Sequence, residues 1–166
     1  MKSLFRLAIW GMMLLLGGGI FSFAQSSSQV FATQTGEKAA KPKWDLTNPN
    51  VKVALQMFEA FNQHDWAKMA SFYIEDAEFL DPSYGAEYVK KRREALIAKY
   101  SGMEKMSPDI RDEIVGVYAA DDKVIVEFIS SGSIKNGGKW SLPICSILTV
   151  KQGKIIKDAT YYDNGK

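Results

Sequence analysis

From Pro108 onward the chain consists of four runs rich in Val, Ile, Thr and aromatic residues, separated by Asp121-Asp122, Asn136-Gly137-Gly138 and Gln152-Gly153. Turn pairs of this kind join neighbouring strands in hairpins, so the runs predict an antiparallel meander. The turn spacing gives strands of about 10 residues, against a usual ~5 to 6. Gly116, Gly132 and Pro143 fall inside these strands, where they predict bends or bulges. Both faces carry apolar residues: Val124, Val126 and Phe128 alternate with Ile125 and Ile129, and Leu142, Ile144 and Leu148 with Cys145 and Ile147. A sheet wetted on one side would alternate with polar residues instead. One face is therefore expected to cover helices and the other to meet a second copy, giving a homodimer through the sheet.

Ahead of the meander the apolar period is helical. Asn48 is a good N-cap with Pro49 at the first helical position, and Val51, Ala54, Leu55, Phe58 and Phe61 recur on one face. Asp65 can cap a second, short helix carrying Trp66, Met69, Ala70 and Tyr73. The stretch AEFLD reads as a brief strand. A third helix is expected from Ala86 to about Tyr100, turning Val89, Leu96, Ile97 and Tyr100 inward, with Ser101-Gly102 as its stop. The basic run KKRRE, Lys90 to Glu94, then reads as a solvated helix face. The expected fold class is α+β: three N-terminal helices packed in the concave face of a strongly curved, mostly antiparallel β-sheet, cone-shaped and cystatin-like.

Residues 1–24 have a basic start, an apolar stretch and small residues at Ser22 and Ala24, the pattern of a cleavable signal peptide. Residues 25–43 lack any apolar period and read as a flexible linker, leaving 44–166 as the domain. The expectation is an exported protein, periplasmic or secreted, with no stable membrane anchor after cleavage. Lys2 and Arg6 are the only charges of the signal, so 21 basic and 19 acidic residues become 19 and 19. A neutral domain has no broad field to attract nucleic acid. The single cysteine, Cys145, excludes an internal disulfide.

Three helices before a bent sheet, with FEAFNQHD, SFYIEDAEFLDPSYG and VKQGKIIKDATYYD in that order, resemble the nuclear transport factor 2-like superfamily over residues 50–163. That group includes the SnoaL-like polyketide cyclases and ketosteroid isomerase. The resemblance implies that Asp81, followed by Pro82, stands where the isomerases carry their general base. Their two oxyanion donors fall on Met57 and Cys145, and neither side chain is a strong donor. Losing one such donor costs on the order of 100-fold in rate, so steroid isomerase activity is not expected. Related dehydratases use a pocket histidine, but the lone His64 lies in the turn between the first two helices. The arginine of the related epoxide hydrolases has no counterpart on the strands facing the interior. In SnoaL-like cyclases an Asp on a late strand serves as acid and base, a role that would fall to Asp158 or Asp163.

Asp81 has two readings: a turn former in DPSYG, or a carboxylate at a pocket rim near Phe79, Tyr84, Phe128 and Cys145, where burial would raise its pKa. On the last strand Asp158, Thr160 and Tyr162 share one face, and Ala159, Tyr161 and Asp163 the other. Asp158 is the expected partner of Asp81, replaced by Asp163 if the strand bulges. The expected pocket is lined by Met57, Phe58, Phe61, Tyr73, Tyr84, Phe128, Cys145, Thr160 and Tyr162. Cys145 has no nearby base to activate it and reads as a small hydrophobe. No metal-ligand spacing, nucleotide-binding glycine loop or Ser/His/Asp set occurs, so neither metal nor cofactor is expected. The leading expectation is a domain binding a small hydrophobic molecule. The alternatives are a metal-free acid/base enzyme of isomerase, cyclase or dehydratase type using Asp81, and a protein-association module.

Overall fold

The computed structural model describes residues 44–163; the expected signal peptide and linker lie outside the described residues. The elements are α1 (Pro49–Asn62), α2 (Trp66–Ser71), β1 (Tyr73–Leu80), β2 (Val89–Arg92), α3 (Arg93–Met106), β3 (Arg111–Ala120), β4 (Lys123–Ser133), β5 (Lys139–Lys151) and β6 (Lys154–Tyr161). The strands form one sheet in the order β2-β1-β6-β5-β4-β3. Every neighbouring pair is antiparallel except β1 and β6, which run parallel. This is the α+β arrangement expected: helices on one face of a mostly antiparallel sheet.

Each helix starts where the sequence supplies a cap, except the third. Asn48 accepts from the Asn50 and Val51 amides at 2.8 and 3.3 Å, and α1 buries Val51, Ala54, Met57, Phe58, Ala60 and Phe61. Asp65 accepts from the Lys68 amide at 2.9 Å, and α2 buries Trp66, Met69 and Ala70. The third helix differs from expectation. Residues 89–92 are not helical but pair antiparallel with β1, from Phe79 opposite Val89 to Asp76 opposite Arg92. The strand is short and charged, which protects a sheet edge from further pairing. The basic run thus lies on an edge strand and the start of α3. That helix also runs through Gly102 to Met106, because Met103 still packs on the core and a helical glycine costs only about 1 kcal/mol.

The three hairpin turns fall where the sequence places them. Asp121, Asn136 and Gln152 adopt φ of 54°, 63° and 51°, and Gly153 72°, the left-handed conformations that tight hairpins require. A bulge shifts the β3–β4 register between Ile114 and Gly116, as the glycine predicts. Gly132 and Pro143 cause no shift: they pair with Trp140 and Ile129 in an unbroken β4–β5 ladder. Pro143 is accommodated because β6 ends opposite Cys145, leaving β5 bordered on one side there. A second bulge, between Thr149 and Val150, has no glycine or proline to announce it.

Alternation assigns the two faces. Val124, Val126, Phe128 and Ser130 of β4, Ser146 and Leu148 of β5, and Asp158 of β6 are all buried. Helix α1 lies against β3, β4 and β5, and α3 against β1 and β2. The opposite face leaves Val115, Tyr118 and Tyr161 about half exposed, at 53, 56 and 50 %.

Candidate functional site

The parallel pairing of β1 and β6 brings the ends of both strands to one rim. Asp81 follows β1 there and Tyr162 follows β6, while α3 delivers Lys99. The Asp81 carboxylate takes the Lys99 ammonium on Oδ2 at 2.8 Å. Its Oδ1 accepts from the Ser83 amide at 2.7 Å and the Tyr162 hydroxyl at 2.9 Å. The Tyr84 amide donates to the Asp81 carbonyl at 2.8 Å. Asp81 therefore shapes the turn and is also buried, at 9 % exposure. Lys99 lies over the rings of Tyr84 and Tyr100, 4.5 and 5.6 Å from their centroids, and Lys91 lies 4.6 Å from that of Tyr84.

This geometry reverses the expected titration of Asp81. Burial pushes its pKa up, but the bonds from Lys99 and Ser83 outweigh burial and hold it below the ordinary 3.8. At neutral pH the residue is an ion-paired carboxylate with both oxygens engaged, a weak base.

Asp158, on β6, is the group with the opposite bias. It is 8 % exposed and accepts from Tyr73 at 2.8 Å on Oδ2 and from Thr160 at 2.9 Å on Oδ1. Thr160 in turn meets Ser146 across the β5–β6 ladder at 2.7 Å. Burial drives the Asp158 pKa up, the two hydrogen bonds draw it back in part, and the net direction is upward. Burial, with Asp158 close by, pushes the Tyr73 hydroxyl well above 10.0. Two carboxyl groups on neighbouring strands are thus pushed in opposite directions, the pattern that separates acid from base roles.

Met57, Phe58, Phe61, Tyr73 and Phe128 all meet in the core, with Tyr84 packed against it. Phe58 and Phe128 stand edge to face with centroids 4.8 Å apart, and Phe61 meets Tyr100 the same way at 5.4 Å. These ring contacts lie between helices and sheet, where the sequence predicts a pocket. Hollows of about 420 and 470 Å³ lie elsewhere. The first sits beside Pro108, Asp109 and Ile134, and the second on the outer sheet face between Tyr88 and Tyr161. Neither is lined by a predicted site residue.

Two expected members fall outside the cluster. Cys145 pairs with Glu127 and Tyr161 on the outer face, and burial and the Glu127 charge push its thiol up. Strand alternation makes Ser146, not Cys145, the inward residue. Asp163 is exposed, past the end of β6. The register of β6 is regular from Lys157 to Tyr161, so no bulge turns Asp163 in. His64 has the structural role expected of a turn residue: φ is 56°, Nε2 lies 2.8 Å from the Ile110 carbonyl, and the ring stacks on Trp66.

Sequence reasoning missed Lys99, Tyr100 and Asp112 as site residues. Asp112 is 6 % exposed and faces Ser130 across the β3–β4 ladder. Burial pushes its pKa up to about 7, while a hydrogen bond with the Ser130 side chain pulls it down in part. A signal was present: Ile110, Asp112 and Ile114 alternate with Arg111 and Glu113, placing an acid on the apolar face. Tyr100 lies among these acids, and its hydroxyl is raised well above 10.0 by burial first, then by Asp158, Asp81, Tyr84 and Asp112. Among the described residues, no three His, Cys, Asp or Glu side chains gather as a metal site.

The profile of the SnoaL-like domain family matches residues 54–157. The chain belongs to this family. Solved structures agree on the SnoaL-like fold. IdmH of Streptomyces antibioticus, a candidate polyketide cyclase, superposes with a TM-score of 0.62 at 18% identity, over 70% of this chain and 94% of its own. A Catenulispora acidiphila protein with a ketosteroid isomerase-like fold, solved with trimethylamine, gives 0.61 at 18% identity over 68% and 86%. A candidate polyketide cyclase from Xanthomonas campestris pv. campestris gives 0.57 at 23% identity over 69% and 90%. A comparison with curated proteins found no match.

Proposed function

We propose that this SnoaL-like domain binds a small, mostly apolar molecule between its helices and sheet, and that Asp81 orients that ligand rather than catalysing its reaction. The supporting observation is the set of carboxyl groups buried on the inner face: Asp81, Asp112 and Asp158 at 9, 6 and 8 % exposure. Burying carboxyl groups is costly, and a module that only associates through its outer face has no use for them inside. The test is titration of the purified domain with toluene, followed by NMR. Saturable shifts at Phe58, Tyr73 and Phe128 are expected, and shifts confined to Tyr118 and Tyr161 would overturn the reading.

A second reading is favoured by the Tyr73–Asp158 hydrogen bond of 2.8 Å. In a metal-free acid/base enzyme Asp158 would hold and return the proton while Asp81 remained ion-paired; IdmH is described as a candidate polyketide cyclase. Asp158→Asn would then abolish turnover of a polyketide substrate and Asp81→Asn would not; the reverse result rejects this assignment. The leader-like residues 1–24 support export, testable by fractionation of cells producing the full chain. No helix among the described residues is long and apolar enough to cross a membrane. The half-exposed apolar residues of the outer face support a homodimer through the sheet.

A further inference from the structure

One buried side-chain polar atom among the described residues has no hydrogen-bond partner: Asp112 Oδ1. The residue is held firmly, because Asn62 at the end of α1 clamps its backbone from both sides. The Asp112 amide donates to Asn62 Oδ1 at 2.7 Å, and Asn62 Nδ2 donates to the Asp112 carbonyl at 2.8 Å. The side chain is therefore not placed by chance in a loose loop. It lies on the inner sheet face beside Ser130 and one alternation from Ile114, which pairs with Phe128. A buried acceptor left unmet destabilises the fold, and an orphaned group in a well-packed interior calls for a reason.

We propose that Asp112 is the hydrogen-bonding anchor for a hydroxyl group carried by the otherwise apolar ligand of this interior. The chemistry selects that group. An ionised carboxylate only accepts, a protonated one can also donate, and a hydroxyl can satisfy either state by turning its own O–H. With burial pushing Asp112 to about 7, both states are populated near neutrality. A ligand carboxylate would be repelled by an ionised Asp112. A hydrocarbon would leave Oδ1 unmet.

The inference rests on the binding reading above, and a matched pair of probes separates the two. Phenol and toluene have nearly the same shape and differ in the group Asp112 would meet. Phenol is expected to bind the wild-type domain on the order of tenfold more tightly than toluene. Asp112→Leu should remove that preference, so that phenol and toluene bind the variant with similar affinity. Should this variant not fold, the wild type suffices: the Asp112 carboxyl carbon should shift with phenol and stay in place with toluene. Equal binding of both probes with an unmoved Asp112 signal overturns the anchor and leaves the binding reading intact. No binding of either probe in the interior overturns both.

Discussion

Lys99 Nζ sits 2.8 Å from Asp81 Oδ2, with side-chain exposures of only 24 and 12 %. This pair turns the family's expected base position into the closed corner of a rim. Removing Lys99 leaves a largely buried carboxylate with one fewer donor. Lys99→Met should cost about 1–3 kcal/mol at neutral pH, read from urea unfolding. Asp81 has a folded pKa below its unfolded value, so the pair stabilises above that unfolded value and its contribution is lost as pH falls through the folded one. The difference between variant and wild type should therefore shrink in acid. An undiminished difference at acid pH would assign the effect to lost packing rather than to charge.

Asp112 carries the opposite sign. Its folded pKa of about 7 stands above the ordinary 3.8, so the native state holds a proton that the unfolded chain has released. Stability should fall as pH rises from about 4 towards 7, by at most about 4 kcal/mol. Asp112→Asn removes the titration while keeping shape and a donor for the open site. The variant should match the wild type near pH 4 and exceed it in unfolding midpoint at pH 8. Parallel pH profiles would show that Asp112 is hydrated rather than buried.

What the sequence made legible follows from where one period dominates. The meander, its turns and the apolar face of α1 each depend on a single repeating signal. Misreadings arose where two signals competed. Val89 to Arg92 carries helix-compatible residues, but β1 offers an unpaired edge, and tertiary pairing overrides local preference. Cys145 was placed inside by resemblance although its own alternation with Ile144 and Ser146 places it outside. Lys99 was invisible for another reason: a lysine near an apolar helix face usually reaches solvent, and only the fold brings Asp81 within its span. The direction of the Asp81 pKa shift depended on that contact, so it could not be read from residues 78–85 alone.

The Tyr73–Asp158 pair couples the core to the candidate proton-holding group. Tyr73→Phe leaves Asp158 Oδ2 without its donor in a site where water is scarce, and should cost about 1–3 kcal/mol. Asp158→Asn should cost a similar amount, because the amide no longer matches both Tyr73 and Thr160. In a double-mutant cycle the two substitutions should show a coupling of about 0.5–3 kcal/mol. Simple additivity would mean that the hydrogen bond contributes nothing beyond packing.

The outer sheet face sets the last expectation. Val115, Tyr118 and Tyr161 expose 53, 56 and 50 % of their surfaces, and Ile125, Cys145 and Ile147 lie between them on the same side of β4 and β5. Lone exposed hydrophobic residues are common on protein surfaces, but several on one sheet face, even with Glu127 between them, support a covering partner. A second copy presenting the same face would bury it symmetrically. Tyr161→Glu would place a charge within that contact, on the face opposite Asp158 and Thr160. Sedimentation of the wild-type domain should give a dimer and of the variant a monomer with unchanged circular dichroism. A wild type that sediments as a monomer at high concentration removes the homodimer, and the exposed face would then have to be explained by a different partner.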